Sequence, residues 1–403
     1  MTYIAGRISD DDRFLATLLW SIFVTIMIAC SRDSVATAED TEPAPLRNVT
    51  YRNHEGETVT TSGRVLITAA DGGILLEERD GYLLNIIPEA IIRQEQTDSN
   101  FSYLSADELA SDLTAEVGTG FRTHKTEHYV LVSELSADYT EWAGALLEQM
   151  YGQFFREWLD LEFKVQEPET PLAVLLFQDR ARFNAYVKTE LLQDSLPNQG
   201  FYSVRTNRIV LIDLADGKPW HEVRGSRNSE RELAEALLNT STIVHEGVHQ
   251  LCYNCGLFNR FADAPLWLSE GIALYFETPS PRSRTGWGGT GRINNSRLFR
   301  FRDRANEGRA EDSLKTLIAS NEQLEHVDTA LDAYSESWLF VSYLMKRKRK
   351  DFEKYLQLIS TKPPLVFDDP QQRITDFESV FGDNWAELER DFLNYVRRLR
   401  PAR

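Results

Sequence analysis

From Ser229 to Asn254 the chain keeps an unbroken helical period, with Leu233, Leu237, Val244, Val248 and Leu251 recurring every three or four residues as one apolar stripe. His245 and His249 lie one turn apart beside that stripe, within the stretch VHEGVHQLCYNCG. An i, i+4 pair on a helix points both imidazoles at one spot, so the two rings can share a zinc ion while Glu246 projects beside it as a general base. The alternative is a pair of structural histidines on a packed helix. A zinc ion held by three protein ligands keeps one position for water and lowers that water's pKa toward roughly 7.

The segment that follows brings a carboxylate. Asp263-Ala264-Pro265 reads as a helix start, and LWLSEGIALYFE continues it with Glu270 and Gly271. HEGVHQL followed by PLWLSEGIALYFE resembles the gluzincin zinc peptidases, and within them a bacterial family catalogued only as a domain of unknown function. The resemblance runs from about Thr126 to about Ser360 and includes AYSESWLFVSYL. It implies that His245, His249 and Glu270 bind Zn2+, that Glu246 activates water, and that GFYSVRTNRIVLIDL supplies an edge strand for a substrate backbone. It also implies that Tyr334, in LDAYSESW, steadies the oxyanion; a core aromatic is the competing reading. Gly271, with no side chain, would let the two helices approach closely.

The chain departs from that pattern in places. Thermolysin-like gluzincins carry an acid four residues after the ligand glutamate, and this chain has Leu274 there. Glu277 is the candidate replacement, set against a glutamate that simply faces solvent. No methionine has the G-x-M-E-N neighbourhood of the aminopeptidases in this group, so an endopeptidase is expected. In the longer metzincin motif, Cys252 and Cys255 would occupy the glycine and final histidine positions. An uninterrupted helix carries Cys255 away from the metal, which leaves a short disulfide or two buried thiols as the choices.

Upstream, Phe14 to Cys30 is free of charge and short for a membrane span. Residues 1–30 therefore read as an export signal, a lipid-attachment signal ending at Cys30, or an anchor helix, all of which place the remainder outside the cytoplasm. Residues 31–47 read as a flexible tether. Residues 48–96 alternate short β-branched runs with turns at Asp71-Gly72 and Asp80-Gly81, as a small all-β, SH3-like module would. This module is either a spacer or a binder of peptide or cell-wall polymer. Residues 97–120 are polar and are expected to connect it to a zincin-like metallopeptidase domain over 121–403.

That domain should open with an α/β layer. A strand is expected in HYVLVSE, a helix from Ala137 to Leu161, a strand at Leu172–Phe177 and two strand runs around Thr206-Asn207, ahead of a mainly helical C-terminal part. The fold class is thus α+β. A formal net charge of -18 argues against nucleic acid as a partner, and the basic run KRKRK at 346–350 is read as a solvated face. Peptide or protein substrate is the expected partner, with membrane contact only through the N-terminal segment. A non-catalytic envelope protein with a structural zinc clip is the rival, but such a clip normally has a fourth protein ligand and no use for Glu246.

Overall fold

The computed structural model describes residues 44–159, 164–191, 199–225 and 229–402. The expected signal or anchor over 1–30 and the expected tether as far as residue 43 lie outside the described residues, whereas Pro45, Leu46 and Arg47, expected at the end of that tether, open the first strand. Among the described residues no helix is long and apolar enough to cross a membrane. The architecture is mixed α+β, with an N-terminal β-sheet, a second sheet clasped by helices, and a mostly helical C-terminal region.

The first sheet comprises β1 (Pro45–Arg52), β2 (Thr58–Thr68), β3 (Ile74–Glu78), β4 (Leu83–Ile86) and β5 (Ile91–Asn100), antiparallel in the order β4-β3-β2-β1-β5. Its turns are where the sequence places them. Gly72 and Gly81 take φ of 93° and 86°, and the carboxylates of Asp71 and Asp80 accept from the amides two residues on. The sheet's own core is small: Val49, Ile74, Leu76 and Ile86.

Residues 97–120 do more than connect. They hold the end of β5 and α1 (Ala106–Val117), which starts with a reciprocal Ser105/Glu108 capping box and buries Leu109, Ala110 and Leu113. The four acidic residues of α1 give the segment its polar texture, and they hide an apolar face only one residue in four wide.

The second sheet contains β6 (Arg122–Lys125), β7 (Tyr129–Ser133), β8 (Leu172–Phe177), β9 (Gly200–Ser203) and β10 (Arg208–Ile212), in the order β6-β7-β8-β10-β9. β7, β8 and β10 are parallel, and both edge strands run against them. Alternate residues serve two cores. Leu131, Val174, Leu176 and Ile209 face α2 (Ala137–Trp158) and the long helix, whereas Val130, Val132, Leu175 and Val210 face α1 and α3 (Arg180–Leu191). On α2 the residues Trp142, Leu146, Met150 and Phe154 are buried as their spacing requires.

A short α4 (Trp220–Gly225) leads to the long helix α5 (Glu230–Asn254), capped by Ser229 with Glu232 in a second capping box. Val244, Val248 and Leu251 are buried, but the expected stripe fails at its start, where Leu233 is exposed and Leu237 half-buried. In those turns Ala236, Asn239 and Thr240 are the buried residues instead. The helix α6 (Leu266–Glu277) has all twelve residues buried. It lies between α5 and α10 (Ala330–Arg347), with α7 (Asn295–Gly308), α8 (Ser313–Ala319) and α9 (Glu322–Glu325) between α6 and α10 in sequence. The chain ends with α11 (Arg349–Ser360), α12 (Pro370–Phe381) and α13 (Trp385–Arg398).

Gly271 makes the α6–α10 crossing possible. A Cβ there would stand 2.8 Å from the Ser337 carbonyl oxygen and 2.5 Å from a Val341 methyl. The close approach expected between α5 and α6 is thus one between α6 and α10. Within KRKRK, Arg349 is tied to Glu157.

The N-terminal sheet docks on the β9–β10 hairpin. The Leu83 amide donates to the Arg205 carbonyl, Arg260 donates twice to the Gly81 carbonyl, and Arg208 reaches both Asp80 and Glu116.

Candidate metal centre

Where α5 crosses α6, His245, His249 and Glu270 converge as one buried group able to hold a metal ion. His245 Nε2 lies 3.1 Å from His249 Nε2 and 3.2 Å from Glu270 Oε2, and His249 Nε2 lies 3.4 Å from Glu270 Oε1. Ligand atoms about 2.0–2.1 Å from a tetrahedral ion stand about 3.3–3.4 Å apart, so the spacing fits one small cation. Two ring nitrogens facing each other at such a distance need a cation or a shared proton between them.

The electrostatics of the group favour positive charge. Burial opposes a protonated His245, but hydrogen bonds to Glu270 and Glu277 and the charge of Glu246 outweigh it and raise its pKa well above the ordinary value. Glu270 is the converse. Burial pushes its carboxyl up, and the two histidines pull it far below the usual range. A metal ion binding here displaces a proton and meets a ready anion.

Glu246 is buried beside the group, and its Oε2 accepts the Tyr202 amide of β9 at 2.8 Å. Burial raises its pKa, with His245 and His249 acting against the rise, so it takes up a proton more readily than an exposed glutamate. Tyr202 belongs to the sheet edge. Ile212 donates to the Gln199 carbonyl, and this register turns the main-chain groups of Gly200 and Tyr202 away from β10. The GFYSVRTNRIVLIDL stretch thus does form an edge strand next to Glu246.

Tyr334, on α10, is buried within electrostatic reach of Glu270, Arg297, Glu246 and Glu277. Burial first, and then Glu270, hold its phenol proton well beyond the ordinary range. Cys252 and Cys255 are two buried thiols and not a disulfide. Neither joins the metal-binding group, and burial pushes Cys255 up to about 12, which keeps it a thiol.

Glu277 corrects the solvent-facing reading. It is buried, its Oε2 accepts from His245 Nδ1 at 2.8 Å, and its Oε1 accepts from Arg297 at 3.1 Å. Arg297 gave no signal in sequence, since it sits among the charged residues of RINNSRLFRFRDR. A second polar hub was also missed. Asn207, in the β9–β10 turn at φ 59°, accepts from the Tyr202 hydroxyl and from Asn254 Nδ2, donates to Asn254 Oδ1, and offers its carbonyl to Gln250. Asn207 is one of the few residue types that enter the left-handed region without much cost, and the Thr206-Asn207 turn was its one legible trace.

Residues 239–366 match a family described as a protein of unknown function, DUF1570. A comparison with curated proteins gives no match.

Proposed function

We propose that this chain is a zinc-dependent peptidase of gluzincin type, hydrolysing internal peptide bonds of peptide or protein substrates. The observation that carries the reading is the group of two imidazoles and one carboxylate at tetrahedral spacing, with Glu246 beside it and no fourth ligand in the group among the described residues. Imidazole donors disfavour calcium and magnesium, and a mixed nitrogen and oxygen set of three suits zinc. When bound, zinc supplies a Lewis acid at this point.

The chain's own residues do the rest. Glu246, with its raised pKa, takes the proton of the attacking water and hands it to the leaving amine. Tyr334 stays protonated and donates to the carbonyl oxygen as charge grows on it. The free side of β9 aligns an extended substrate by strand addition at Gly200 and at the Tyr202 carbonyl, the Tyr202 amide being held by Glu246. Export is part of the proposal and rests on the charge-free run Phe14–Cys30; N-terminal sequencing of the mature chain should find a start after residue 29 or 38.

The test is cleavage of casein by the purified protein. Activity should vanish with a chelator and return with one equivalent of zinc. A metal-loaded, folded protein that leaves casein and a mixed peptide library intact would refute the enzymatic reading.

A further inference from the structure

We propose that Glu277 is the positioning residue of the metal centre, held in turn by Arg297, so that an Arg297–Glu277–His245 chain fixes the first ligand from behind. The inference rests on the metal-centre reading above. His245 turns Nε2 toward His249 and Glu270, which leaves Nδ1 on the far side. There Glu277 Oε2 accepts at 2.8 Å, and a carboxylate at that nitrogen sets the Nδ1–H tautomer, keeping the Nε2 lone pair for a cation. The position one turn after Glu270 cannot do this, because Leu274 is in the core. Glu277 lies seven residues after Glu270, two turns on and back on the same face of α6.

The pair does not look arranged for stability alone. Glu277 is the last residue of α6, where the helix dipole disfavours an anion. Arg297 is in the first turn of α7, its amide capped by Asn294, where the dipole disfavours a cation. Each charge is buried at the helix end that opposes it. Both guanidinium contacts, at 3.1 and 3.3 Å, go to Oε1, which leaves Oε2 for the histidine. Glu277 thus divides its two oxygens between a fixed cation and a metal ligand.

The experiment measures zinc affinity by chelator competition, together with the visible spectrum of the cobalt-loaded protein. It uses the wild type, His249→Ala, Glu277→Gln and the double variant Glu277→Leu/Arg297→Met. The double variant replaces the pair with apolar residues of similar size, an exchange that buried pairs often tolerate, so folding is checked first by circular dichroism. A folded double variant should bind zinc about 10–100-fold more weakly with an altered cobalt spectrum, and Glu277→Gln, which still offers an acceptor to Nδ1–H, should fall between. A folded double variant within about threefold of wild type with an unchanged spectrum would reduce the pair to a structural clip. If the double variant does not fold, Glu277→Gln decides, and wild-type affinity and spectrum there overturn the proposal. A wild type that takes up no more metal than His249→Ala removes the metal centre itself, a separate failure.

Discussion

The two walls of the site are built in opposite ways. One wall is the crossing of α5 and α6, where the four candidate side chains, His245, Glu246, His249 and Glu270, come from two consecutive helices. The other is the β9–β10 hairpin, whose shape depends on residues scattered along the chain. Asn207 ties it to Gln250 and Asn254, Arg208 ties it to Asp80 and Glu116, and the contact between Arg260 and Glu77 behind it spans 183 residues. The helical wall can be read locally because helix geometry sets the direction of each side chain. The strand wall is a long-range polar assembly, and the N-terminal sheet, with its four-residue core, is part of it. Metal chemistry and substrate alignment should therefore fail separately.

The largest effect expected is on the helical wall. Glu270→Ala removes the anion that draws a cation between the two histidines, and zinc affinity should drop more than about 100-fold, beyond what loss of a supporting partner costs. Hydrolysis should disappear while the tertiary circular dichroism of the hairpin side stays as in wild type. Loss of both together would mean that the walls are one cooperative unit.

Next comes pH. The metal-free His245 holds its proton well above the ordinary histidine range, and binding must release that proton. Apparent zinc affinity should therefore weaken as pH falls, and it should still be rising above neutral pH, by about tenfold per unit while one proton is released. Calorimetry in buffers of different ionisation enthalpy would count the proton. An affinity flat from pH 6 to 8 would contradict the charge balance described for this wall.

The matching perturbation of the strand wall is Asn207→Ala. It leaves the Tyr202 hydroxyl and the Asn254 amide short of partners and forces alanine into left-handed backbone, at a cost of about 2–3 kcal/mol in unfolding free energy. Zinc stoichiometry should stay at one, and KM for a peptide should rise more than kcat falls. The smallest effect is expected from Gly271→Ala. The added methyl meets the Ser337 carbonyl, and α10 must shift, which should lower stability by about 1–2 kcal/mol in thermal unfolding while the metal is retained. A variant as stable as wild type would show that this crossing has room the geometry does not indicate.

The same contrast explains what was legible in the sequence. His245 and His249 announce themselves because i, i+4 spacing is a local signal, and the long α5 with its Ser229 cap follows from period and capping chemistry. Glu270 came from resemblance, since spacing alone cannot bring a second helix across the first. Glu277 was legible only as a candidate set against a solvent-facing glutamate, because its burial depends on Arg297, 20 residues further on in a segment that reads as plain charged helix. α1 was hidden by its acidic solvent face, and the partner of Gly271 by the long excursion through α7, α8 and α9 before α10 returns. In each case the missing information was tertiary, namely which face is covered and by what.

In the proposed mechanism Glu246 performs the chemistry in a site that other residues assemble. The most direct measurement compares wild type with Glu246→Gln for zinc content, thermal stability and casein cleavage in one preparation. The substitution touches no ligand and keeps an acceptor for the Tyr202 amide. One zinc per chain, an unchanged fold and cleavage reduced at least about 100-fold are expected. Undiminished cleavage by the metal-loaded variant would contradict that mechanism.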